Sequence, residues 1–134
     1  MDMAEVNRQV IEAFRAGVDP PGMHRDRLLL LTTRGARTGK PHIAPMMFHR
    51  DGARVFVIAS AAAAPKDPQW YRNIVAEPRV QVELADQAYP ALAVPLEGAE
   101  RDHIWAEIKR LYPFFVDHEA KVDREIPVVE LRGP

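Results

Sequence analysis

The residues best suited to bind a charged ligand lie in one short segment, Thr33–Met46, which reads TRGARTGKPHIAPM. Its two glycines allow backbone conformations that turn several N–H groups toward one point, and such concave nests bind anions. Its arginine and lysine add cationic donors, whose hydrogen bonds to phosphate or carboxylate are about twice as strong as neutral ones. The residues concerned are Gly35, Arg37, Thr38, Gly39 and Lys40. The segment predicts an anion-binding turn, with a basic hairpin turn that binds no ligand as the alternative.

Other familiar catalytic and metal-binding patterns are missing from the sequence. The turn is not a Walker A loop, because Lys40 is followed by Pro41 instead of Ser or Thr, and it has no GxGxxG pattern. The chain has no cysteine, and its single serine, Ser60, lies outside any GxSxG motif. The five histidines do not stand at HxH or HExxH spacing, so no metal site is predicted.

Charge is distributed unevenly along the chain. Residues 24–54 contain seven basic and two acidic residues, whereas residues 76–107 contain two basic and seven acidic ones. The formal net charge is −1, which argues against a non-specific nucleic-acid-binding protein. The local excess of positive charge predicts either a solvated surface or a basic groove for an anionic small ligand.

Length and composition indicate one globular domain, residues 1–134. The chain has 134 residues, of which 47% are apolar and 28% charged. Its longest apolar run, residues 58–65, is far shorter than the ~20 residues that cross a bilayer. The N-terminal MDMAEVNRQV has no apolar segment of the kind found in secretory signals. We therefore expect a cytoplasmic protein without an integral membrane span.

Periodicity predicts the elements that must position the basic turn. Asp2 caps an N-terminal helix that ends at Gly17, and Asp67 with Pro68 begins a second, short helix. Two further helical segments follow residue 97. The predicted strands are residues 27–33, 42–49, 54–60, 79–84, 88–96 and 126–131. Two prolines, Pro90 and Pro95, place the fifth of these strands at a sheet edge.

About six strands with short connections predict a mainly β domain with flanking helices, of the α+β class. The crossover helices that a parallel sheet needs are missing, which favours a small antiparallel barrel with its helices outside. A small barrel is filled by its own side chains, so a ligand must bind at its rim or in a groove between subunits.

Three stretches together are typical of one family: LLLLTTRGARTGKP followed by PMMF, then IASAAAAPKDPQWYRNI, then LYPFF with IPVVEL. From about Val6 to Leu131 the chain resembles the deazaflavin-dependent nitroreductase family. The resemblance implies a split β-barrel with an FMN-binding-like fold. It also implies the coenzyme F(420), an 8-hydroxy-5-deazaflavin that carries a phosphate and a polyanionic tail.

The resemblance also implies where the coenzyme binds. The basic turn would hold the phosphate end, and the following strand would lie along the ring. The next strand end would contact the ring edge through backbone groups and the Ser60 hydroxyl, and a helix would cover the other side. The residues so implied are Arg37, Thr38, Gly39, Lys40, His42, Ala44, Pro45, Met46, Ile58, Ala59, Ser60, Ala61, Trp70 and Asn73. By residue type alone, Trp70 is equally a core anchor, Asn73 a partner of a neighbouring loop, and Ser60 the end of a strand.

The second substrate would lie against Tyr112, Phe115 and His118, which the resemblance aligns with tyrosines of the best-known members. Tyr112 and Ser60 are the candidate catalytic residues, and the Tyr112 hydroxyl can give a proton or hydrogen bond to a reduced nitro group or quinone oxygen. The alternative is that Tyr112 and Phe115 pack against the barrel while His118 is exposed.

Four positions depart from the family pattern. His42 stands where arginine is usual, so binding of the phosphate is expected to be weaker or pH-dependent. Basic residues are also common where Ala61 stands. Because Phe115 and His118 replace tyrosines, quinone-like acceptors are favoured over nitroimidazoles.

The sequence thus predicts an oxidoreductase that transfers hydride from reduced F(420) to a small planar acceptor, either quinone-like or nitroaromatic. One alternative keeps the fold and replaces the coenzyme with FMN. Another is a non-catalytic deazaflavin carrier. Because split barrels often pair through their sheets, a homodimer is also expected, and nucleic acid is not expected as a partner.

Overall fold

The alternating and continuous apolar segments of the sequence fold into one antiparallel sheet of seven strands. The computed structural model describes residues 2–133. The strands are β1 (Leu28–Arg34), β2 (Pro41–Met47), β3 (His49–Asp51), β4 (Arg54–Ile58), β5 (Arg79–Glu83), β6 (Ala88–Pro95) and β7 (Val128–Arg132). The α-helices are α1 (Met3–Arg15), α2 (Gln69–Ala76), α3 (Gly98–Leu111) and α4 (Phe114–Ala120), and short 3-10 turns lie at Arg25–Arg27 and Ala61–Ala63.

The sheet must curl, because its two edge strands are neighbours in the chain. The strand order is β2-β1-β5-β6-β7-β4-β3, so β2 and β3 form opposite edges. A single residue, Phe48, connects them. This break explains why the sheet has seven strands where the sequence predicted about six, since residues 42–49 were expected to form one strand. The predicted class, a split barrel with flanking helices, is confirmed.

The curled sheet has a filled interior and a helical layer outside. Alternate residues of β1, β5 and β7 point inward, and Leu29, Leu31, Val82 and Val129 are fully buried there with Trp70 and Ile74 of α2. A second apolar cluster lies outside β4 and β7, where α3 and α4 cover Phe56 and Val128. Burial of each large apolar side chain is worth roughly 1.5–3 kcal/mol. Side chains of the described residues thus pack the barrel interior, and we expect a ligand to bind at the rim.

Two local predictions are wrong. The strand with Pro90 and Pro95 is β6, which lies between β5 and β7 and not at an edge. In the strand register Pro90 pairs only with Gln81 of β5, and Pro95 pairs only with Val129 of β7. At each proline β6 therefore has a paired strand on one side only. The N–H that proline lacks would lie on the other side, so no hydrogen bond of the sheet is lost.

The second wrong prediction concerns a helix cap. Helix α2 begins at Gln69 after Pro68, and no side chain caps it. Asp67 instead accepts a hydrogen bond of 2.8 Å from Arg124. The cap of α1 is confirmed, because Asp2 Oδ1 accepts from the Glu5 N–H at 2.8 Å. None of the helices in the described part of the chain is long and apolar enough to cross a bilayer.

Candidate functional site

The basic turn, residues 35–40, joins the end of β1 to the start of β2. Gly35 N donates to the Lys40 carbonyl at 2.8 Å, and Gly39 N donates to the Gly35 carbonyl at 2.9 Å. The Thr38 hydroxyl lies inside the turn, where it accepts from Lys40 N at 3.2 Å. A Cβ on Gly35 would lie 2.8 Å from this hydroxyl, and Gly39 has φ of +69°, so both positions require glycine. The turn is therefore built around its own backbone.

The cations of the basic turn point away from this packing. Arg37 and Lys40 are exposed. The ion pairs of residues 2–133 lie elsewhere and involve neither side chain. Two cationic groups thus remain available on a turn that is itself fixed.

Asn73 of α2 fastens the basic turn to the barrel. Its side chain is fully buried. The amide oxygen accepts from Ala36 N at 3.0 Å and from Gln69 Nε2 at 2.9 Å, and the amide nitrogen donates to Thr33 Oγ1 at 3.0 Å. Both ends of the amide are therefore occupied by protein atoms. The structure places this predicted coenzyme residue beneath the turn, where it sets the position of the cations.

Strand β2 presents the predicted ring-binding residues on two faces. Ala44 and Met46 pack on the interior cluster that also contains Trp70, and His42 shares their face at the exposed end of the strand. Pro45 points to the opposite face, opposite Leu30 in the register. Only part of the predicted set therefore lies on the side of α2.

The end of β4 leads into an unusual backbone segment, which we call the alanine loop, residues 60–64. Ser60 has right-handed helical angles, and Ala61, Ala62 and Ala63 follow with φ of 50°, 53° and 65°. Each such conformation costs a non-glycine residue roughly 1–2 kcal/mol. A right-handed residue followed by left-handed ones also forms a nest, in which successive N–H groups converge. The N–H groups of Ser60, Ala61 and Ala62 have no acceptor among residues 2–133.

Arg124 holds the alanine loop in this conformation. Its guanidinium donates to the carbonyls of Ala59, Ser60 and Ala64 at 3.1, 2.8 and 3.2 Å, and to Asp67 at 2.8 Å. The carbonyls are thereby bound on one side while the N–H groups remain unpaired. Sequence analysis missed Arg124, since a lone arginine in a charged segment carries no pattern that links it to a loop about 60 residues earlier.

The predicted acceptor-side residues meet in an aromatic cluster, which consists of Tyr112, Phe114, Phe115 and His118. Phe115 is buried and packs against Trp105, with ring centroids 5.7 Å apart. His118 is half-buried, and its ring lies 5.6 Å from that of Phe115. Phe115 is thus part of the wall, while Tyr112 and His118 retain accessible surface.

The aromatic cluster contacts the alanine loop. His118 Nδ1 lies 3.3 Å from Ser60 Oγ, so the two predicted residues share a hydrogen bond although 58 residues separate them in the chain. Tyr112 has a partner that sequence analysis did not select: its hydroxyl lies 3.3 Å from Nδ1 of His49. The structure therefore brings Ser60, Tyr112 and His118 into one region.

Helix α4 is held against α3 by a charged group. Glu119 accepts from the Trp105 indole N–H and from Lys109 Nζ at 2.9 Å. The hydrogen bond from Trp105 keeps the pKa of Glu119 below its usual range, since it favours the ionised carboxylate. The backbone of the aromatic cluster is thereby anchored.

A groove of about 850 Å³ lies away from these residues, on the outer face of β1, β5, β6 and β7. It adjoins the basic turn through Arg34 and Pro41 and continues past Arg79 and Leu92 to Arg132. None of the helices within residues 2–133 contributes a lining residue to this groove. The groove contains none of the predicted catalytic residues.

Comparisons with known proteins agree on one family. A family model described as F(420)H(2)-dependent quinone reductase matches residues 6–132. A protein of Mycobacterium tuberculosis (strain ATCC 25618 / H37Rv), provisionally named F(420)H(2)-dependent quinone reductase Rv3178, is 34% identical over 104 residues. Those residues cover 78% of this chain and 87% of that protein.

Two solved structures show the same fold at similar identity. One, described as an F(420)-H2 dependent reductase (FDR-A), has a TM-score of 0.72 at 36% identity, with 83% of this chain and 100% of that chain covered. The other, described as a domain-swapped dimer, has a TM-score of 0.75 at 33% identity and covers 96% of this chain and 98% of its own.

Proposed function

Since this chain belongs to the F(420)H(2)-dependent quinone reductase family, we propose that its basic turn, alanine loop and aromatic cluster form one site for hydride transfer to a small planar acceptor. The observation that carries the proposal is the basic turn. Its two exposed cations, Arg37 and Lys40, form no ion pair within residues 2–133, and its backbone is fixed from below by Asn73. Such a turn suits an anionic handle, because the donors need not reorganise on binding.

The phosphate end of the coenzyme binds at the basic turn in this proposal. Arg37 and Lys40 supply charged donors, and Gly39 lets the backbone approach closely. Thr38 shapes the turn through its bond to Lys40 N, and His42 extends the positive surface when it is protonated. Trp70 and Asn73 act from below, as core anchor and as support of the turn.

The ring binds between the β2 edge and the alanine loop. Ala44 and Met46, which share one face of β2, form one side, whereas Pro45 lies on the other face of the strand. The unpaired N–H groups that begin at Ser60 face electron-rich atoms of the ring edge, and Ile58 and Ala59 fix the strand from which the loop departs. These N–H groups fit a polar ring edge because they have no acceptor in the described part of the chain.

The acceptor lies against the aromatic cluster. When bound, the reduced coenzyme supplies a hydride, which carries both electrons. Tyr112 supplies the proton that the reduced acceptor oxygen needs, and His118 orients the Ser60 hydroxyl through their shared hydrogen bond. Phe115 gives the apolar wall. We propose a quinone-like acceptor first and a nitroaromatic one second.

The test is a fluorescence titration with F(420), followed by single-turnover oxidation of the pre-reduced coenzyme with a panel of quinones. Arg37→Ala and Lys40→Ala should each raise Kd about tenfold, through loss of a charged hydrogen bond. The loss should shrink as salt is raised. Arg27→Ala is the matched control, since it removes the same charge at the other end of β1.

Three results would contradict the proposal. Equal binding by the Arg37→Ala/Lys40→Ala double variant and the parent would make the turn merely structural. Uptake of FMN in preference to F(420) would favour the flavin alternative. Binding without faster quinone reduction than free coenzyme gives would favour the carrier.

Three wider expectations accompany this function. Residues 1–134 form a single deazaflavin-binding domain, and two copies of the chain associate as a homodimer. The homodimer is supported by the relative described as a domain-swapped dimer. The cytoplasmic location stays a prediction from the sequence.

A further inference from the structure

His49 is a buried polar residue that the proposed function has not used. It begins β3, directly opposite Phe56 of β4, and only 4% of its surface is exposed. Its ring stacks on Phe56, with centroids 6.0 Å apart, and meets the Tyr112 ring edge-on at 5.7 Å. Histidine is an uncommon choice for such an apolar position unless its nitrogens have a purpose.

The two ring nitrogens have unequal surroundings. Nδ1 lies 3.3 Å from the Tyr112 hydroxyl oxygen. Nε2 is buried without a partner among residues 2–133. A protonated imidazole would bury both a charge and an unpaired N–H here, so the neutral ring is favoured.

The unpaired nitrogen decides between the two neutral tautomers. With the proton on Nε2, a buried N–H would have no acceptor among residues 2–133, and such unpaired buried donors are rare in folded proteins because they lose the hydrogen bond they make with water. With the proton on Nδ1, only a lone pair is left without a partner. In that tautomer the N–H donates to Tyr112, and the phenolic hydrogen is free to point elsewhere.

We propose that His49 is a positioning residue for Tyr112: its Nδ1–H donates to the phenol oxygen and turns the O–H hydrogen toward the acceptor. The inference rests on the proposed function, which gives Tyr112 the proton transfer. In that step the Tyr112 O–H bond breaks and an O–H bond to the acceptor oxygen forms, while the hydride supplies both electrons. The Nδ1–H then stabilises the negative charge left on the phenol oxygen, as preorganised donors do. Solvent returns the proton to Tyr112 afterwards.

The first test needs no coenzyme. Nitrogen-15 NMR of the histidine rings distinguishes a protonated from an unprotonated nitrogen, and the signals of His49 are those that disappear in His49→Asn. We expect Nδ1 to carry the proton and Nε2 to lack it. A ring protonated on Nε2, or on both nitrogens, would overturn the proposal.

The second test is kinetic. His49→Leu fills this buried position with an apolar side chain and removes the hydrogen-bond donor. Single-turnover quinone reduction should therefore slow about tenfold, while the Kd of the coenzyme stays unchanged. His49→Asn keeps an N–H near the position of Nδ1 and should retain most of the rate. In a Tyr112→Phe background, His49→Leu should cause no further loss.

The outcomes separate this inference from the function on which it rests. If His49→Leu lowered the single-turnover rate by the same factor in the parent and in the Tyr112→Phe background, His49 would have a structural role only. The positioning role proposed for it would then be overturned. An unchanged rate in Tyr112→Phe would overturn the proton transfer and this inference together, with coenzyme binding intact. Failure of the parent protein to bind F(420) would overturn the proposed function itself, whatever tautomer NMR reports.

Discussion

At the scale of single residues, the candidate site combines groups that bind with groups that hold them in place. Arg37 and Lys40 are exposed and form no ion pair with another described residue, whereas Asn73 is buried and both its amide oxygen and its amide nitrogen are hydrogen-bonded. The same division separates Tyr112 from Phe115, which forms the wall behind it. The two kinds of residue call for different tests, because only the first kind changes affinity without changing stability.

His42 gives the sharpest prediction at this scale. It shares the inward face of β2 at the strand's exposed end. Arginine supplies a permanent charge and a planar, forked donor that suits a phosphate, so His42→Arg should tighten coenzyme binding several-fold at pH 8.

Fluorescence titration of the parent and the variant at pH 8 measures this effect. The matched control is His24→Arg, an exposed position before β1, which should leave the Kd of the coenzyme unchanged. Equal Kd values for the parent and His42→Arg would remove His42 from the binding surface.

At the scale of elements, buried charge joins β4 to its neighbours. Arg54 at the start of β4 donates to Glu130 of β7 at 2.9 and 3.1 Å, and Arg132 donates to the same carboxylate at 2.9 Å. Glu130 is buried. Because β4 continues into the alanine loop, these hydrogen bonds help to fix the position of the strand to which that loop is attached.

This carboxylate predicts a pH dependence of stability. The hydrogen bonds from Arg54 hold the pKa of Glu130 below its usual value of 4.5. The folded state therefore binds a proton less readily than the unfolded state, and the stabilisation is complete above pH 4.5 and lost as pH falls through the lower, folded value.

Glu130→Gln should accordingly lower the free energy of unfolding by about 1–2 kcal/mol at pH 7, a figure reduced because Arg54 is partly exposed. The difference in free energy of unfolding between Glu130→Gln and the parent should shrink as the pH is lowered below 4.5. Urea denaturation at several pH values measures both, with Glu107→Gln on α3 as the control. A deficit that is constant with pH would mean that the ion pair does not stabilise the fold.

At the scale of the whole molecule, the curled sheet has an outer groove that no helix of the described chain lines. This groove of about 850 Å³ lies on the outer face of β1, β5, β6 and β7, and Leu92 in it is half exposed. Stable interfaces between protein chains are built around apolar patches of this kind, with a charged rim. The arginines along the groove would provide such a rim.

We therefore expect the homodimer to involve this face. Sedimentation between about 1 and 100 µM should show a dimer that Leu92→Glu weakens, because a buried carboxylate without a partner is costly. Val18→Glu, a similarly exposed apolar position in the loop after α1, is the control. A monomer at every concentration, or an unchanged dimer in Leu92→Glu, would exclude this face as the interface.

The local features of this protein could be read from the sequence. Glycine spacing and basic residues marked the turn at residues 35–40, Asp2 marked the start of α1, and alternation marked the strands. The family motifs predicted the split barrel and the F(420)-dependent class, and both are confirmed. These features depend on residues that are close in sequence, where backbone preference and periodicity act directly.

Tertiary structure alone decided which distant side chains meet. Ser60 and His118 are separated by 58 residues, and His49 and Tyr112 by 63. Arg124 reaches the alanine loop from near the end of the chain, and β6 became a central strand despite its prolines. The physical reason is that apolar periodicity specifies only which face of a helix or strand is buried. Which partner a polar side chain meets depends on the order in which the strands are arranged around the curled sheet.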